Sequence, residues 1–188
     1  MTKSEIFETA WGPFGMVARS TGNPVRWRLV ATFLPERRER IQRAIAKRWP
    51  DAVKSSNLLP RFRRQVVDYF AGRRTAFKVE LDLTDVPPFH RLVLEACHRV
   101  PYGKVSSYGE LARVVGNPAA ARAVGGAMAN NPLPLVIPCH RVLRSDGSMG
   151  GFSSPSGVKL KERLLRLENA PCGKRTPANS TCATLQDS

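Results

Sequence analysis

The sequence predicts an α/β amino-terminal domain followed by a mainly α carboxy-terminal domain with a (winged) helix-turn-helix. Three observations predict it. Up to about Leu83, β-like runs alternate with helical spacing. A Thr-Asp-Val-Pro-Pro stretch at 84–88 then makes a natural junction. Beyond it, helical stretches are joined by short Gly-containing turns, the signature of a helix-turn-helix. A chain of 188 residues has room for two small domains. The expected boundaries are 1–85 for the first and 86–169 for the second, with 170–188 as a disordered tail.

Each element has its own reason. Residues 27–33 are β-branched and aromatic, as a strand should be. Residues 36–49 place Ile41, Ile45 and Trp49 at i, i+4, i+8, the spacing of a helix face. Phe62, Val66, Val67 and Phe70 repeat that spacing, and Gly72 ends the run. Residues 77–83 alternate apolar and polar, which predicts a strand. Thr84 or Asp85 is placed to cap the next helix, 89–100, whose apolar face carries Phe89, Val93, Ala96 and Cys97. A turn at 101–103 follows. Ser107 can cap a helix at 108–115, and a second turn at 116–118 leads to a helix at 119–129 built from unusually small side chains. From 133 the chain reads as extended, with Asp146-Gly147 as a tight turn between two short strands. Residues 159–168 form a last amphipathic helix, with Leu160, Leu164, Leu165 and Leu167 on its apolar side. The polar, aperiodic end of the chain shows no such pattern.

Composition narrows the function. Hydrophobic residues make up 42% and charged residues 24%, which is enough apolar material for a real core. Lys and Arg number 30 against 15 Asp and Glu, a net charge of +15. Such an excess suits a polyanionic partner, above all nucleic acid, and equally an arginine-rich soluble surface. Arg99, Lys104, Arg113, Arg122, Arg141 and Arg144 face a single acid, Glu110, over the stretch that holds the helix-turn-helix. The longest uncharged run, 123–140, is broken by Asn130, Asn131, Pro132, Pro134 and Pro138 and cannot face lipid as a helix. The first twelve residues lack the pattern of a secretory signal. The four cysteines show neither a CxxC pair nor metal-ligand spacing. These features point to a reducing compartment, the cytoplasm, and to a cysteine thiol as a candidate nucleophile.

The candidate is Cys139. It stands in Pro138-Cys139-His140-Arg141-Val142, after the apolar run Leu135-Val136-Ile137. Neighbouring His and Arg favour the thiolate, which is the useful nucleophile. A bare Cys-His pair also fits a buried structural cysteine. The surrounding blocks decide between the two. VPYGKVSSYGELA, ARAVGGAMANNP, IPCHRV, GGF and GVKLKERLLRLE occur in one order between about Phe89 and Glu168. In sequence and spacing they resemble the O6-alkylguanine-DNA alkyltransferases, the methylated-DNA–protein-cysteine methyltransferases. The first 85 residues match that family only in outline.

The resemblance implies direct reversal of DNA damage. A damaged guanine is rotated out of double-stranded DNA, its O6-alkyl group passes irreversibly to the Cys139 thiolate, and the protein acts once, without a cofactor. O4-alkylthymine is a second expected substrate. By the same resemblance His140 acts as base through a water, Glu168 orients it, and Asn131 braces the cysteine loop. Tyr108 contacts the guanine and the rotated phosphate, and Arg122 fills the space that the base leaves. Met128, Val142, Gly150, Phe152, Ser153 and Lys159 belong to the guanine pocket, with the Ser153 backbone N–H donated to O6. Phe152 stands where some relatives have tyrosine, so a hydroxyl contact is lost there. Some relatives carry zinc in the amino-terminal domain. Here neither Cys nor His occurs before His90, and no metal is expected. A monomer is expected, free of membrane and associated with the nucleoid when on DNA, with cooperative assembly on DNA an open alternative. Two rival classes remain: an alkyltransferase-like lesion binder, which would lack the acceptor cysteine, and a helix-turn-helix regulator indifferent to damage.

Overall fold

The protein is described by a computed structural model covering residues 1–22, 25–152 and 157–171. Its amino-terminal part is a four-stranded sheet with a helix on each face. β1 (Thr2–Thr9) and β2 (Gly12–Thr21) form an antiparallel hairpin, β3 (Arg26–Phe33) adds antiparallel to β2, and β4 (Val53–Lys54) runs parallel to β1. The spatial order is β3-β2-β1-β4. Alternation sorts β2: Phe14, Met16 and Ala18 enter the main core, and Val17 points to the other face. There it meets Ala31, with Ile41 and Ile45 of α1 (Arg38–Arg48). Gly15 permits this close approach, because a Cβ at 15 would overlap the Ile41 side chain. α2 (Pro60–Phe70) covers the opposite face with Phe62, Val66, Tyr69 and Phe70.

The β1–β2 hairpin extends the sequence expectation, which places the first strand at 27–33. Three charges, Lys3, Glu5 and Glu8, break the apolar alternation of β1. Glu5 is nevertheless buried, because its carboxylate accepts the Leu58 N–H at 2.9 Å and Arg63 at 3.1 Å.

The expected strand at 77–83 is extended, but its ladder is a single bridge. Leu29 and Leu81 pair in parallel, through Leu29 N–H to the Glu80 carbonyl at 2.8 Å and Asp82 N–H to the Leu29 carbonyl at 2.9 Å. Phe77, Val79, Leu81 and Leu83 still pack on the core, so the alternation is real. The expected cap at Thr84 or Asp85 is not made. α3 (Pro88–His98) starts behind Pro87 without a side-chain cap, and Asp85 instead accepts from Arg19 at 2.8 Å.

The carboxy-terminal part is mainly helical. β5 (Ser106–Ser107) leads into α4 (Tyr108–Val114), capped by Ser107 as expected. The cap is reciprocal: Ser107 Oγ accepts the Glu110 N–H at 3.1 Å, and the Glu110 carboxylate accepts the Ser107 N–H at 2.6 Å. A 3-10 turn at Pro118–Ala120 then feeds α5 (Ala121–Ala129). After an irregular crossing, Cys139–Arg141 form one 3-10 turn and β6 (Val142–Leu143) pairs in parallel with β5. The Asp146-Gly147 turn exists, closed by Arg144 N–H to Ser148 O at 2.9 Å. It does not join two strands, because β6 takes its partner from β5. α6 (Gly157–Leu167) closes the fold. The tail reading falls mostly on 172–188, outside the described residues.

One apolar core runs through both parts, from Phe14 and Phe62 to Leu94, Leu111, Ile137 and Leu164. No helix among the described residues is long and apolar enough to cross a membrane.

Candidate active site

The site is assembled where the 3-10 turn Cys139–Arg141 meets the end of α6. Cys139 and His140 are both buried, at 7% and 0% exposure. The preceding loop is held in an unusual path. Leu135 adopts φ 80°, a left-handed conformation that costs a non-glycine residue about 1 kcal/mol or more. Two clamps over-determine it. Asn131 donates its amide to the Ile137 carbonyl at 2.9 Å and accepts the Leu133 N–H at 3.0 Å. Thr32 of β3 donates its hydroxyl to the Pro134 carbonyl at 2.6 Å and its N–H to the Pro132 carbonyl at 3.0 Å.

His140 Nε2 lies 2.9 Å from Glu168 Oε1. A carboxylate only accepts, so Nε2 carries the proton and Nδ1 keeps its lone pair. Nδ1 is buried and bonded to no group among the described residues. Burial holds His140 below its ordinary pKa, although the Glu168 charge pulls the other way. Neutral imidazole with a free, basic Nδ1 is therefore the resting form. Glu168 is 2% exposed. Burial alone would raise its pKa, but hydrogen bonds from His140 and Arg141 hold it well below the carboxylate range. Arg141 forks onto it, with Nε to Oε2 at 2.8 Å and Nη2 to Oε1 at 2.9 Å, and spends Nη1 on the Val100 carbonyl at 2.6 Å. Gly103 N–H adds a bond to Oε2 at 3.2 Å, and the Tyr69 hydroxyl one to Oε1 at 2.6 Å.

Burial pushes the Cys139 thiol up, while a hydrogen bond from Asn131 and the Lys161 charge draw it back. Lys161 is fully buried and donates to the Val142 carbonyl at 2.6 Å, with its ammonium 5.9 Å from the Tyr108 ring centre. Burial lowers it to about 8. Tyr108, half-buried at the start of α4, packs against Gly150, where a Cβ would overlap its hydroxyl.

The fold thus brings together Cys139, His140, Glu168, Asn131, Tyr108, Val142 and Gly150. Met128 is buried on α5 and Phe152 packs partly buried on the core. Arg122 stands exposed on α5, with no ion-pair partner among the described residues. Ser153 lies outside the described residues. Lys159 is exposed and away from this cluster, and Lys161 occupies the buried position. The helix period explains the difference. Lys159 is nine residues from Glu168, about half a turn out of phase, whereas Lys161 is seven away and about in phase. Arg141 as a Glu168 partner and Tyr69 are not among the residues that the sequence motifs single out. Tyr69 falls on the same 3.6-residue face as Phe62 and Val66, and that was the available signal.

Residues 88–170 match the family described as 6-O-methylguanine DNA methyltransferase, DNA binding domain. A methylated-DNA–protein-cysteine methyltransferase of Mycolicibacterium paratuberculosis is 44% identical over 117 residues, covering 62% of this chain and 67% of the relative. The crystal structure of Mycobacterium tuberculosis O6-methylguanine methyltransferase aligns with a TM-score of 0.71 at 30% identity, over 92% of this chain and 97% of that one. The structure of Mycobacterium tuberculosis OGT in complex with DNA gives 0.71 at 32% identity, over 90% and 95%. With a relative of this identity matched over two thirds of its length and solved structures matched almost end to end, the chain belongs to the methylated-DNA–protein-cysteine methyltransferase family, whose chemistry is DNA repair by alkyl transfer.

Proposed function

We propose that Cys139 takes the alkyl group from O6-alkylguanine, and from O4-alkylthymine, in double-stranded DNA, once and irreversibly, after the base has been rotated out of the stack. The observation that carries this reading is the buried Cys139–His140–Glu168 arrangement, with its single free basic nitrogen at His140 Nδ1. The Cys139 proton passes through a water to Nδ1. The thiolate attacks the alkyl carbon, so a sulfur–carbon bond forms as the carbon–O6 bond breaks. The electron pair of the broken bond leaves with the guanine, and the proton that left Cys139 returns from the imidazolium through water to the guanine, so His140 ends neutral. The thioether has no route back, which makes the reaction stoichiometric. Glu168 stabilises the imidazolium formed on the way.

The same reading gives the other residues their parts. Asn131 braces the loop that carries the cysteine. Tyr108 meets the guanine and the rotated phosphate, and the exposed Arg122 enters the stack, on a helix whose small side chains allow close approach to a groove. Met128, the Val142 carbonyl, Gly150 and Phe152 line the pocket, and Lys161 takes the part that the resemblance gives to Lys159. Extrusion costs a few kcal/mol and less for a poorly paired base, which favours the lesion. The chain works as a monomer, as an amino-terminal unit over about 1–85 and an acceptor unit over about 86–169.

The test is mass spectrometry with peptide mapping after mixing with an O6-methylguanine duplex. One methyl group on the Cys139 peptide is expected, and Cys139→Ala should abolish it while retaining DNA binding. Lesion binding without a mass shift would instead mark a non-transferring lesion binder, and equal affinity for undamaged DNA a regulator.

A further inference from the structure

Tyr69 belongs to α2, in the amino-terminal part, and yet its hydroxyl ends in the site. Its ring needs no hydroxyl to fill its place. It is 1% exposed and packs against Phe70, Phe77 and Tyr102 with ring centres 5.3, 5.6 and 6.1 Å away. Phenylalanine would serve that packing, and a buried hydroxyl is costly unless it is bonded. The bond it makes is to Glu168 Oε1 at 2.6 Å, a short contact between a neutral donor and a charged acceptor. Oε1 is the oxygen that also holds His140 Nε2.

We infer that the Tyr69 hydroxyl is a positioning group for alkyl transfer, acting through Glu168 on His140. The inference rests on the Cys139–His140–Glu168 reading proposed above. Arg141 alone already forks the carboxylate and offsets its charge. Tyr69 adds two things. It holds Oε1 from α2, an element separate from the cysteine turn, and it draws electron density out of Oε1. A less basic Oε1 pulls less on the His140 proton, which keeps Nδ1 ready as a base. The phenol stays protonated in this role, since burial and the Glu168 charge both oppose its ionisation.

Other groups also face the relay. From the turn after α3, Gly103 donates to Oε2, and Tyr102 donates its hydroxyl to the Leu167 carbonyl at 3.2 Å, with Arg74 over its ring. Arg141 and His140 come from the 3-10 turn, Lys161 from α6, and buried Cys97 from α3. Among these, Tyr69 is the titratable donor that the amino-terminal part supplies to Oε1.

Tyr69→Phe tests this in the full-length chain, with free O6-benzylguanine as probe and benzyl transfer followed across the neutral pH range. Loss of the donor strengthens the hold of Glu168 on the imidazolium, so the base stays protonated to higher pH. The acid limb of the rate profile should move up by about half a unit, so the rate should fall by up to about threefold on that limb and change little on the plateau above it. The shift should vanish when Glu168→Gln is already present, because the two act in series. Replacing Tyr69 by 3,5-difluorotyrosine, a more acidic phenol with the same ring, should move the limb the other way. An unmoved limb in both variants, whether the rate is unchanged or falls in step with thermal stability, would overturn the inference and leave Tyr69 a packing residue. A wild-type chain that takes no benzyl group on Cys139 would instead overturn the reading beneath it.

Discussion

Lys159 and Lys161 stand two residues apart on α6 and occupy different worlds. Lys159 is exposed, while Lys161 is buried with its amine on the Val142 carbonyl. An ammonium so placed favours the nearby thiolate over the thiol, and one unit of thiol pKa is a tenfold change in thiolate at neutral pH. Lys161→Met, which keeps the volume, should therefore slow benzyl transfer from O6-benzylguanine by about tenfold. Lys159→Met should change it by less than about twofold. Equal effects in the two variants would show that the buried amine has no part in the chemistry. The pair also shows what a sequence reading can reach. Cys139, His140 and Glu168 were legible because motif blocks fix them by neighbours. The choice between two lysines in KLKERLLRLE needed phase along the helix, which the motif order alone does not supply. Tyr69 was less legible still. Its partner lies 99 positions away, and only the folded chain places its hydroxyl on a carboxylate.

At the scale of elements, the expected helices recur with ends shifted by a residue or two, and the strands fare less well. Helix faces announce themselves within one element, as the Ile41–Ile45 and Phe62–Val66 pairs do. Strand pairing depends on a partner. Residues 77–83 alternate as a strand should, yet meet β3 at one bridge, and β6 pairs with β5 rather than across its own turn. Nothing local in Leu135 signals its left-handed backbone, which is held from Asn131 and from Thr32 of β3. The Ser107–Glu110 cap is the opposite case, a local device readable in SSYGE and present in full. It fixes the start of α4, and with it Tyr108, immediately after the β5 pairing with β6. Ser107→Ala should cost about 1 kcal/mol in urea unfolding. A loss within the noise of the measurement would mean that β5 pairing alone sets the helix start.

The whole molecule carries +15 charge on two parts that share one apolar core. The carboxylate of Glu168 joins them: it takes bonds from α2 through Tyr69, from the turn after α3 through Gly103, and from the cysteine turn through His140 and Arg141. Parts that share a core and a buried charge should unfold together. All three tryptophans, Trp11, Trp27 and Trp49, lie in the amino-terminal part, whereas the greater share of helix begins at Pro88, so fluorescence watches the first part and far-ultraviolet circular dichroism weights the second. Their thermal transitions should coincide. The midpoint should also fall in acid, and the sign follows from the two buried partners. The native pKa of His140 is depressed, so the unfolded chain binds the extra proton, and stability present above about pH 6.5 is lost as pH drops below it. The native pKa of Glu168 is depressed as well, so a second loss begins as pH falls below about 4.5. Protonating Glu168 would strip Arg141 of its counter-charge inside the core, which makes the acid loss steep. Two separate transitions would show that Glu168 does not bind the halves into one cooperative unit, and a midpoint level from pH 7 down to pH 5 would show that His140 is not held neutral by the fold.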